Sequence, residues 1–355
     1  MKQSFDFGHP LPFASAGGRG VFLQGQFFTY NEYGDVKTAA QRIAGVGFNK
    51  YTYTYRYDTG VTTGDLTAVN QLKASGSLYY TYNNYDTLNR ISSEQVNLKV
   101  TGGTDATVLT RGYTYRDVII DSVEYTTTQV AGVSYSGLNS SAYSYTYDAR
   151  GNITSVSKNN SPLASYEYDD LGQLVRENNV AANKTWTYTY DSRGNITSKK
   201  TYAYSNGTLG TLQNSVTYTY PGKSDSTTWK DLLVKYDGEY TSYDEIGNPY
   251  QYYNGSTYYL TWSDGRKLTS GTKGTTSFSY VYNSDGLRTQ KTVNGATYNY
   301  YWQGSLLSAM TCPAGTFKFY YDAKGTPYAV KAYDAYLQTE STYLYVTNLQ
   351  GDPGA

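Results

Sequence analysis

The sequence is poor in the residues that disulfides, metal sites and many active sites need. Its 355 residues include one cysteine, Cys312, and one histidine, His9. A single cysteine excludes an internal disulfide and a cysteine-based zinc site. A single histidine argues against histidine-dependent hydrolysis and against two-histidine metal sites. An unpaired thiol fits a reducing compartment and an exported cysteine-poor protein equally well, so the compartment stays open.

An excess of charge of either sign is also missing. The chain has 29 basic and 29 acidic residues, and charged residues make up only 16% of it. Without a basic face, nucleic acid and anionic membranes are poor candidates as partners. No apolar run is long enough to span a membrane, and residues 1–30 lack the pattern of a signal peptide. That absence does not assign the compartment of a longer parent protein.

Tyrosine supplies the apolar area that aliphatic residues would normally provide. The chain contains 45 tyrosines and only 10 phenylalanines. A tyrosine side chain has a large apolar body and a polar tip, so it can fill a core whose inner side stays partly wet. The low aliphatic content therefore does not indicate disorder, because the net charge is zero.

The tyrosines belong to an internal repeat. Copies start at Tyr147 (YDARGNITS), Tyr168 (YDDLGQLVR) and Tyr190 (YDSRGNITS), which puts the aspartates at 148, 169 and 191. Further copies start at Tyr243 (YDEIGNPYQ), Trp262 (WSDGRKLTS), Tyr282 (YNSDGLRTQ), Tyr301 (YWQGSLLSA) and Tyr321 (YDAKGTPYA), with weaker copies at Tyr30 and Tyr85. Within each of these two runs the copies lie 19 to 22 residues apart, and a regular period of this length is typical of repeat architectures.

Each copy predicts a β-hairpin. Tyrosines that alternate with small polar residues, as in Tyr143, Tyr145 and Tyr147, indicate a strand with its tyrosines on one face. The aspartate can accept backbone N–H groups two residues on, and the glycine tolerates positive φ, so Y-D-x-x-G predicts a turn. One repeat thus divides into two strands of about six to seven residues and two turns. The fold class is all-β, an array of antiparallel β-hairpins that must coil.

This pattern resembles the rearrangement-hotspot (Rhs), or tyrosine-aspartate (YD), repeat family of bacterial polymorphic toxins. The resemblance depends on the Y-D-x-x-G array, on WKDLLVKYDGEYTSYDEIGNPYQYYNG at 229–255 and on YLYVTNLQGD at 343–352. It implies a β-spiral that forms part of a hollow, tyrosine-lined shell, which encloses a C-terminal toxin or effector of the same polypeptide. It also implies a secreted or cell-surface protein. Teneurin relatives use such a shell for adhesion.

The sequence departs from the family pattern in two ways. Family cores continue beyond the NLQGD segment to a self-cleavage site that contains Asp-Pro, whereas Asp352-Pro353 lacks the surrounding motif. A closed family shell also needs more repeats than this chain carries. We therefore expect part of a spiral, or a short array open at both ends. Within one continuous repeat domain we expect an irregular segment at 1–50, degenerate repeats at 51–140 and well-formed repeats at 141–355.

The residues that resemble chemical sites all have a structural explanation. The motif aspartates recur at equivalent turns, which predicts turn formers rather than metal ligands or paired acids; they are Asp148, Asp169, Asp191, Asp244 and Asp322. PGKS at 221–224 has Thr217 where a phosphate-binding loop needs its first glycine. Arg150, Arg193 and Lys324 are expected to face water, and Cys312 to be inert. We predict no catalytic, cofactor or metal site.

These observations predict a non-enzymatic structural segment of a shell that encloses or presents a toxin or effector polypeptide. The tyrosine stripes are expected to pack against one another, although aromatic faces also stack on sugars. The alternative function is an exported adhesin or a self-assembling fibre that binds carbohydrate or further subunits, since unpaired strand edges pair with neighbours. An enzyme, such as a polysaccharide lyase, is the third hypothesis. No nucleic acid, membrane insertion or cofactor is expected.

Overall fold

The computed structural model describes residues 24–351, except 31–35, 44–46, 59–60, 72–77, 89, 101, 138–139, 223–228, 323–324 and 350. This described part is all-β, which confirms the predicted fold class: it contains 28 strands and no helix. Within the same residues, no helix has the length and apolar character needed to cross a membrane.

The strands follow one another along the chain with short connections. The first nine are Gln24–Tyr30 (β1), Val36–Ile43 (β2), Gly47–Asp58 (β3), Val61–Gln71 (β4), Leu78–Tyr85 (β5), Ile91–Leu98 (β6), Ala106–Ile120 (β7), Val123–Gly137 (β8) and Ser141–Tyr147 (β9). The next nine are Ile153–Lys158 (β10), Ser161–Tyr168 (β11), Leu174–Asn179 (β12), Lys184–Tyr190 (β13), Ile196–Ala203 (β14), Leu212–Thr219 (β15), Lys235–Tyr236 (β16), Glu239–Tyr240 (β17) and Ser242–Tyr243 (β18). The last ten are Pro249–Tyr253 (β19), Thr257–Ser263 (β20), Lys267–Lys273 (β21), Thr276–Tyr282 (β22), Arg288–Val293 (β23), Ala296–Gln303 (β24), Leu306–Cys312 (β25), Gly315–Tyr321 (β26), Pro327–Asp334 (β27) and Thr339–Leu344 (β28).

Neighbouring strands pair in antiparallel register, as the hairpin prediction requires. In β13 and β14, for example, Tyr188 lies opposite Lys199. The register shifts where each strand reaches its motif aromatic residue, as between Thr189 and Tyr190. The same shift occurs at Tyr168, Trp262, Tyr282 and Tyr321. Such a β-bulge bends the strand and re-aims the side chain.

Two kinds of turn alternate along the repeats, as predicted. The Y-D-x-x-G turn holds its glycine at positive φ, +79° at Gly172. The second kind has two residues, both with positive φ, as at Asn159–Asn160 and Asn294–Gly295. This is the geometry of type I′ hairpin turns, which matches the right-handed twist of the strands.

The chain divides into two compact units. Unit 1 comprises Met1–Tyr115, Val133–Ser141 and Asn299–Ala355, and unit 2 comprises Arg116–Gly132 and Ala142–Tyr298. Among the described residues, unit 1 buries Val96, Leu109, Val133, Ala309 and Ala329 together with Glu94, Asn97, Ser308 and Asp322. Unit 2 buries Tyr143, Tyr145, Val156 and Ala164 together with Asn178, Thr185 and Asn248. The divisions expected at residues 50 and 140 stay predictions.

Candidate functional site: repeat junctions and a buried polar cluster

The motif aspartates accept hydrogen bonds from the turns that they form, three at Asp148 and one from the Thr326 N–H at Asp322. Asp148 Oδ1 accepts the backbone N–H of Arg150 at 2.9 Å and that of Asn152 at 2.8 Å, while its Oδ2 accepts the Asn152 amide at 2.9 Å. The same contacts recur at Asp169, Asp191 and Asp244. The predicted role of these aspartates as turn formers is confirmed.

These contacts stabilise the charged form of the carboxylates. The side-chain amide of Asn152 lowers the pKa of Asp148, and the backbone N–H of Gln173 lowers the pKa of Asp169. A general acid at neutral pH needs a raised pKa, because it must carry a proton to donate. The motif aspartates are therefore unsuited to acid catalysis, and they leave few lone pairs for a metal ion.

Several motif aromatic residues connect their repeat to the one before it. Tyr168 Oη donates to the carbonyl oxygen of Ile153 at 2.8 Å, and Tyr190 Oη donates to that of Leu174 at 2.6 Å. The acceptor lies six residues after the preceding motif aromatic. Four further junctions follow this rule: Tyr115 to Ile91, Trp262 Nε1 to Pro249, Tyr282 to Leu268 and Tyr321 to Leu307. The sequence predicted tyrosine packing but not this hydrogen bond.

Arg150 and Arg193, two arginines in the turns, also form contacts with other protein groups. Both are exposed, as expected, but the Arg150 guanidinium also donates to the carbonyl oxygens of Asp169 and Asp170 in the next turn. Arg193 pairs with Asp191 at 2.9 Å and lies 3.6 Å from Asp231. Exposed pairs of this kind contribute about 0–1 kcal/mol each.

The other sequence candidates gain no partners that suggest chemistry. Cys312 is a free, partly buried thiol at the end of β25. His9, Lys324, Lys223 and Ser224 of PGKS, and Asp352-Pro353 lie outside the described residues. In the part of the chain that the structure describes, no group of three or more His, Cys, Asp or Glu side chains is arranged to hold a metal ion.

A buried polar cluster in unit 1 departs from the repeat. Glu94 on β6 is only 3% exposed and lies opposite Arg111 on β7. Its Oε2 accepts the hydroxyl groups of Tyr80 at 2.5 Å and Tyr113 at 2.8 Å, and Arg111 Nη1 lies 4.0 Å away. The Arg111 guanidinium also lies over the rings of Tyr113 and Tyr135, 5.1 and 5.6 Å from their centroids.

The electrostatics of the cluster keep its two tyrosines neutral. Burial raises the pKa of Tyr80 and of Tyr113, and the negative charge of Glu94 raises both further. A tyrosine with a raised pKa donates its hydrogen bond over a wide pH range but does not act as a base at neutral pH. The two tyrosine hydroxyl groups are satisfied by Glu94, whereas the buried Nε of Arg111 has no hydrogen-bond partner.

The cavity at this cluster is too small for a substrate. It has a volume of about 20 Å³ and is lined by Tyr80, Glu94, Arg111, Asp322 and Tyr328, among others. That volume holds about one water molecule. Across it, Tyr135 Oη donates to the carbonyl oxygen of Thr347 at 2.8 Å and accepts the Thr347 N–H at 3.2 Å.

Sequence reasoning missed this cluster because it lies in the degenerate repeats. One signal was present: Glu94 and Arg111 are charged residues inside two consecutive strand patterns, 17 positions apart. A register that pairs the two strands brings them face to face.

Taken together, the turns and junctions define a β-hairpin repeat protein in which several successive repeats are hydrogen-bonded to one another. The family model of the RHS repeat matches residues 147–183 and 168–206. The resemblance inferred from the sequence is thereby confirmed, and residues 147–206 carry RHS repeats.

Solved structures of larger assemblies are also similar. The crystal structure of TcdB2-TccC3 matches with 12% identity and a TM-score of 0.43, over 90% of this chain and 20% of that chain. A Photorhabdus luminescens Tc holotoxin pore with a TccC3 mutation matches with 13% identity and a TM-score of 0.40, over 93% and 18%. The chain thus spans about a fifth of the proteins it matches. No curated protein sequence matches it.

Proposed function

We propose that this chain is a non-catalytic wall segment of an exported RHS-type shell, which encloses or presents another polypeptide. The repeat junction carries this proposal. A motif hydroxyl group that donates to the preceding repeat, as in Tyr168 to Ile153, uses the tyrosines of the repeat to hold hairpins together. The motif aspartates are likewise occupied within their own turns.

The tyrosine-bearing face of unit 2 supports contact with a polypeptide. A cross-strand pair puts a lysine over a tyrosine ring, with Lys273 5.0 Å from the centroid of Tyr258. The pair of Lys199 and Tyr188 has the same form, at 5.7 Å. A face of rings, hydroxyl groups and ammonium groups stays wet and offers many weak contacts rather than one deep pocket.

Protease protection tests the proposal in the natural full-length gene product. We expect the polypeptide that follows this chain to resist added protease while the chain is folded. The variant D148A/D169A/D191A removes three turn carboxylates and should increase cleavage of the enclosed polypeptide. The matched control D170A/D285A removes two exposed carboxylates from the same kind of turn and should leave the protection unchanged.

Two results would contradict the proposal. Cleavage of the following polypeptide at the rate of its unfolded form, with the chain itself intact, would exclude enclosure. Hydrolysis of a glycan by the purified chain, lost in Asp169→Ala while the fold is retained, would show that the segment is an enzyme.

One observation favours the alternative of an adhesin or fibre. In the described part of its sheet, β28 is the last strand, and its hairpin with β27 exposes Tyr336 (93%), Leu337 (64%) and Tyr343 (58%). An exposed strand edge with apolar residues can pair with another chain. Electron microscopy distinguishes the two functions, because filaments support the fibre and discrete particles support the wall segment.

A further inference from the structure

The hairpin of β7 and β8 ends in a projecting apolar tip in unit 2. Its strands have 15 residues each, whereas the repeat strands β10–β14 have six to eight. We call residues 117–126 (DVIIDSVEYT) the hairpin tip. At its end, Asp121 and Ser122 both have positive φ, 51° and 65°, as in a type I′ turn.

The base of the tip is anchored, which fixes how the tip is presented. Arg116 Nη1 donates to Gln129 Oε1 at 2.7 Å and to the Asp148 carbonyl oxygen at 3.3 Å. Thr127 Oγ1 donates across the hairpin to the Arg116 carbonyl oxygen at 2.9 Å. A two-residue turn with this contact places Ile120 opposite Val123.

That register separates the tip into two faces, because side chains alternate along a strand. One face carries only apolar and aromatic residues: Val118, Ile120, Val123 and Tyr125. Ile120 is 56% exposed, and Val123 and Tyr125 are each 50% exposed. The other face carries Asp117, Ile119, Glu124 and Thr126, with Ile119 76% exposed. A continuous apolar face at the end of an anchored hairpin marks an interaction site more strongly than scattered apolar residues do.

The charge of the tip indicates its occupant. The segment 117–126 contains three acidic residues, Asp117, Asp121 and Glu124, and no lysine or arginine. An anionic membrane surface would be repelled by these charges. A protein surface that combines an apolar pocket with a lysine or arginine border would cover the apolar face and pair with the carboxylates at the rim.

We propose that the hairpin tip is a docking element for a basic, apolar-pocketed protein surface. Its apolar face supplies the buried contact, and its three carboxylates supply orientation and association rate. This interaction is separate from enclosure by the tyrosine-bearing face, so either proposal can fail without the other.

The test uses the purified chain and a synthetic peptide of alternating lysine and leucine, with a glutamate-leucine peptide as the probe control. We expect the lysine-leucine peptide to bind, more weakly as salt is added, and the glutamate-leucine peptide not to bind. I120S/V123S should weaken binding about tenfold or more, as loss of a central apolar contact does. D117N/D121N/E124Q should weaken binding and remove most of its salt dependence.

The control variant is D170N/L171S, which changes an exposed acidic and apolar pair in a regular turn of unit 2, where Leu171 is 82% exposed. It should bind like the unaltered chain. Far-ultraviolet circular dichroism and the denaturation midpoint should show that the tip variants keep their fold, because the Arg116 and Gln129 anchors are unchanged. Equal binding by I120S/V123S and the unaltered chain would overturn the proposal, as would equal loss in the control.

The same variants exclude the other occupants. Concentration-dependent self-association that I120S/V123S abolishes would make a second copy the occupant and overturn the proposal. Binding to phosphatidylcholine vesicles that the same variant abolishes would make the site a lipid contact, which also overturns it.

Discussion

The regular repeats of unit 2 and the buried cluster of unit 1 hold similar strands by opposite means. In unit 2, the Y-D-x-x-G turns each have their own aspartate, such as Asp148 or Asp169, with local partners no more than four residues away. In unit 1, one glutamate, Glu94, gathers partners from 14 to 19 residues away. The first arrangement distributes stability over many small, replaceable contacts. The second concentrates it, because two tyrosine hydroxyl groups lose the same acceptor if Glu94 is lost.

Ionisation of the tyrosines is expected to have the largest effect, since it acts on both units. Burial raises the pKa of Tyr188 in unit 2 to about 12 and that of Tyr320 and Tyr321 in unit 1 to about 12. A raised pKa in the folded state means that the stabilisation is complete below the unfolded value of about 10. It is lost as the pH rises through the folded value.

We therefore expect the chain to unfold between about pH 10 and pH 12. Tyrosinate absorbance and far-ultraviolet circular dichroism should change together. Gradual ionisation of most tyrosines without loss of β-structure would show that the tyrosine faces are open to solvent. It would contradict the expectation that buried tyrosine rings stabilise both units.

Substitution of Glu94 should produce the largest single-residue effect. Glu94→Ala leaves the partly buried Arg111 without its counter-charge and removes the acceptor of two tyrosine hydroxyl groups, so it should destabilise the fold by about 3–5 kcal/mol. Glu94→Gln keeps the shape and one acceptor oxygen and should cost less. Urea denaturation measures both changes, and hydrogen exchange should show the loss in β6 and β7.

Asp169→Ala is the matched variant for unit 2, where stability is distributed over many turns. It removes a turn carboxylate whose hydrogen bonds are all local, so it should cost much less than Glu94→Ala, as the loss of a capping side chain does. Equal losses for Glu94→Ala and Asp169→Ala would mean that the cluster contributes no more than a single turn, and the contrast between the two units would fail.

The difference between the units also explains what the sequence could predict. The hairpins, the turns and the aspartate contacts depend on residues within about five positions, so the Y-D-x-x-G copies reveal them. The hydrogen bond from Tyr168 to Ile153 depends on the bulge that re-aims the tyrosine, and no residue type marks a bulge. The contact of Glu94 with Arg111 depends on the register of two strands whose repeat pattern has decayed.

A glycine substitution separates two causes of strain within unit 2. Gly247 has a φ of +84°, and an added Cβ would lie 2.4 Å from Cζ3 of Trp229. Gly255 has a φ of +71°, with open space around an added Cβ. Gly255→Ala should cost about 1–2 kcal/mol from backbone strain alone. Gly247→Ala should cost more, measured by the urea midpoint, unless the exposed Trp229 ring moves aside. Equal costs would show that the ring does move.

The junction hydrogen bond should give the smallest of these effects, and it tests the proposed wall most directly. Tyr168→Phe keeps the ring and removes only the hydroxyl group that donates to the Ile153 carbonyl oxygen, so it should cost about 1 kcal/mol. Tyr250→Phe is the matched control, because Tyr250 is 48% exposed and lies outside the junctions. It should change the urea midpoint by less than half as much. Hydrogen exchange should localise the Tyr168→Phe effect to β10 and β11, the two strands that the junction connects. A loss of the same size in both variants would mean that motif hydroxyl groups do not hold successive repeats together, and that ring packing alone maintains the array.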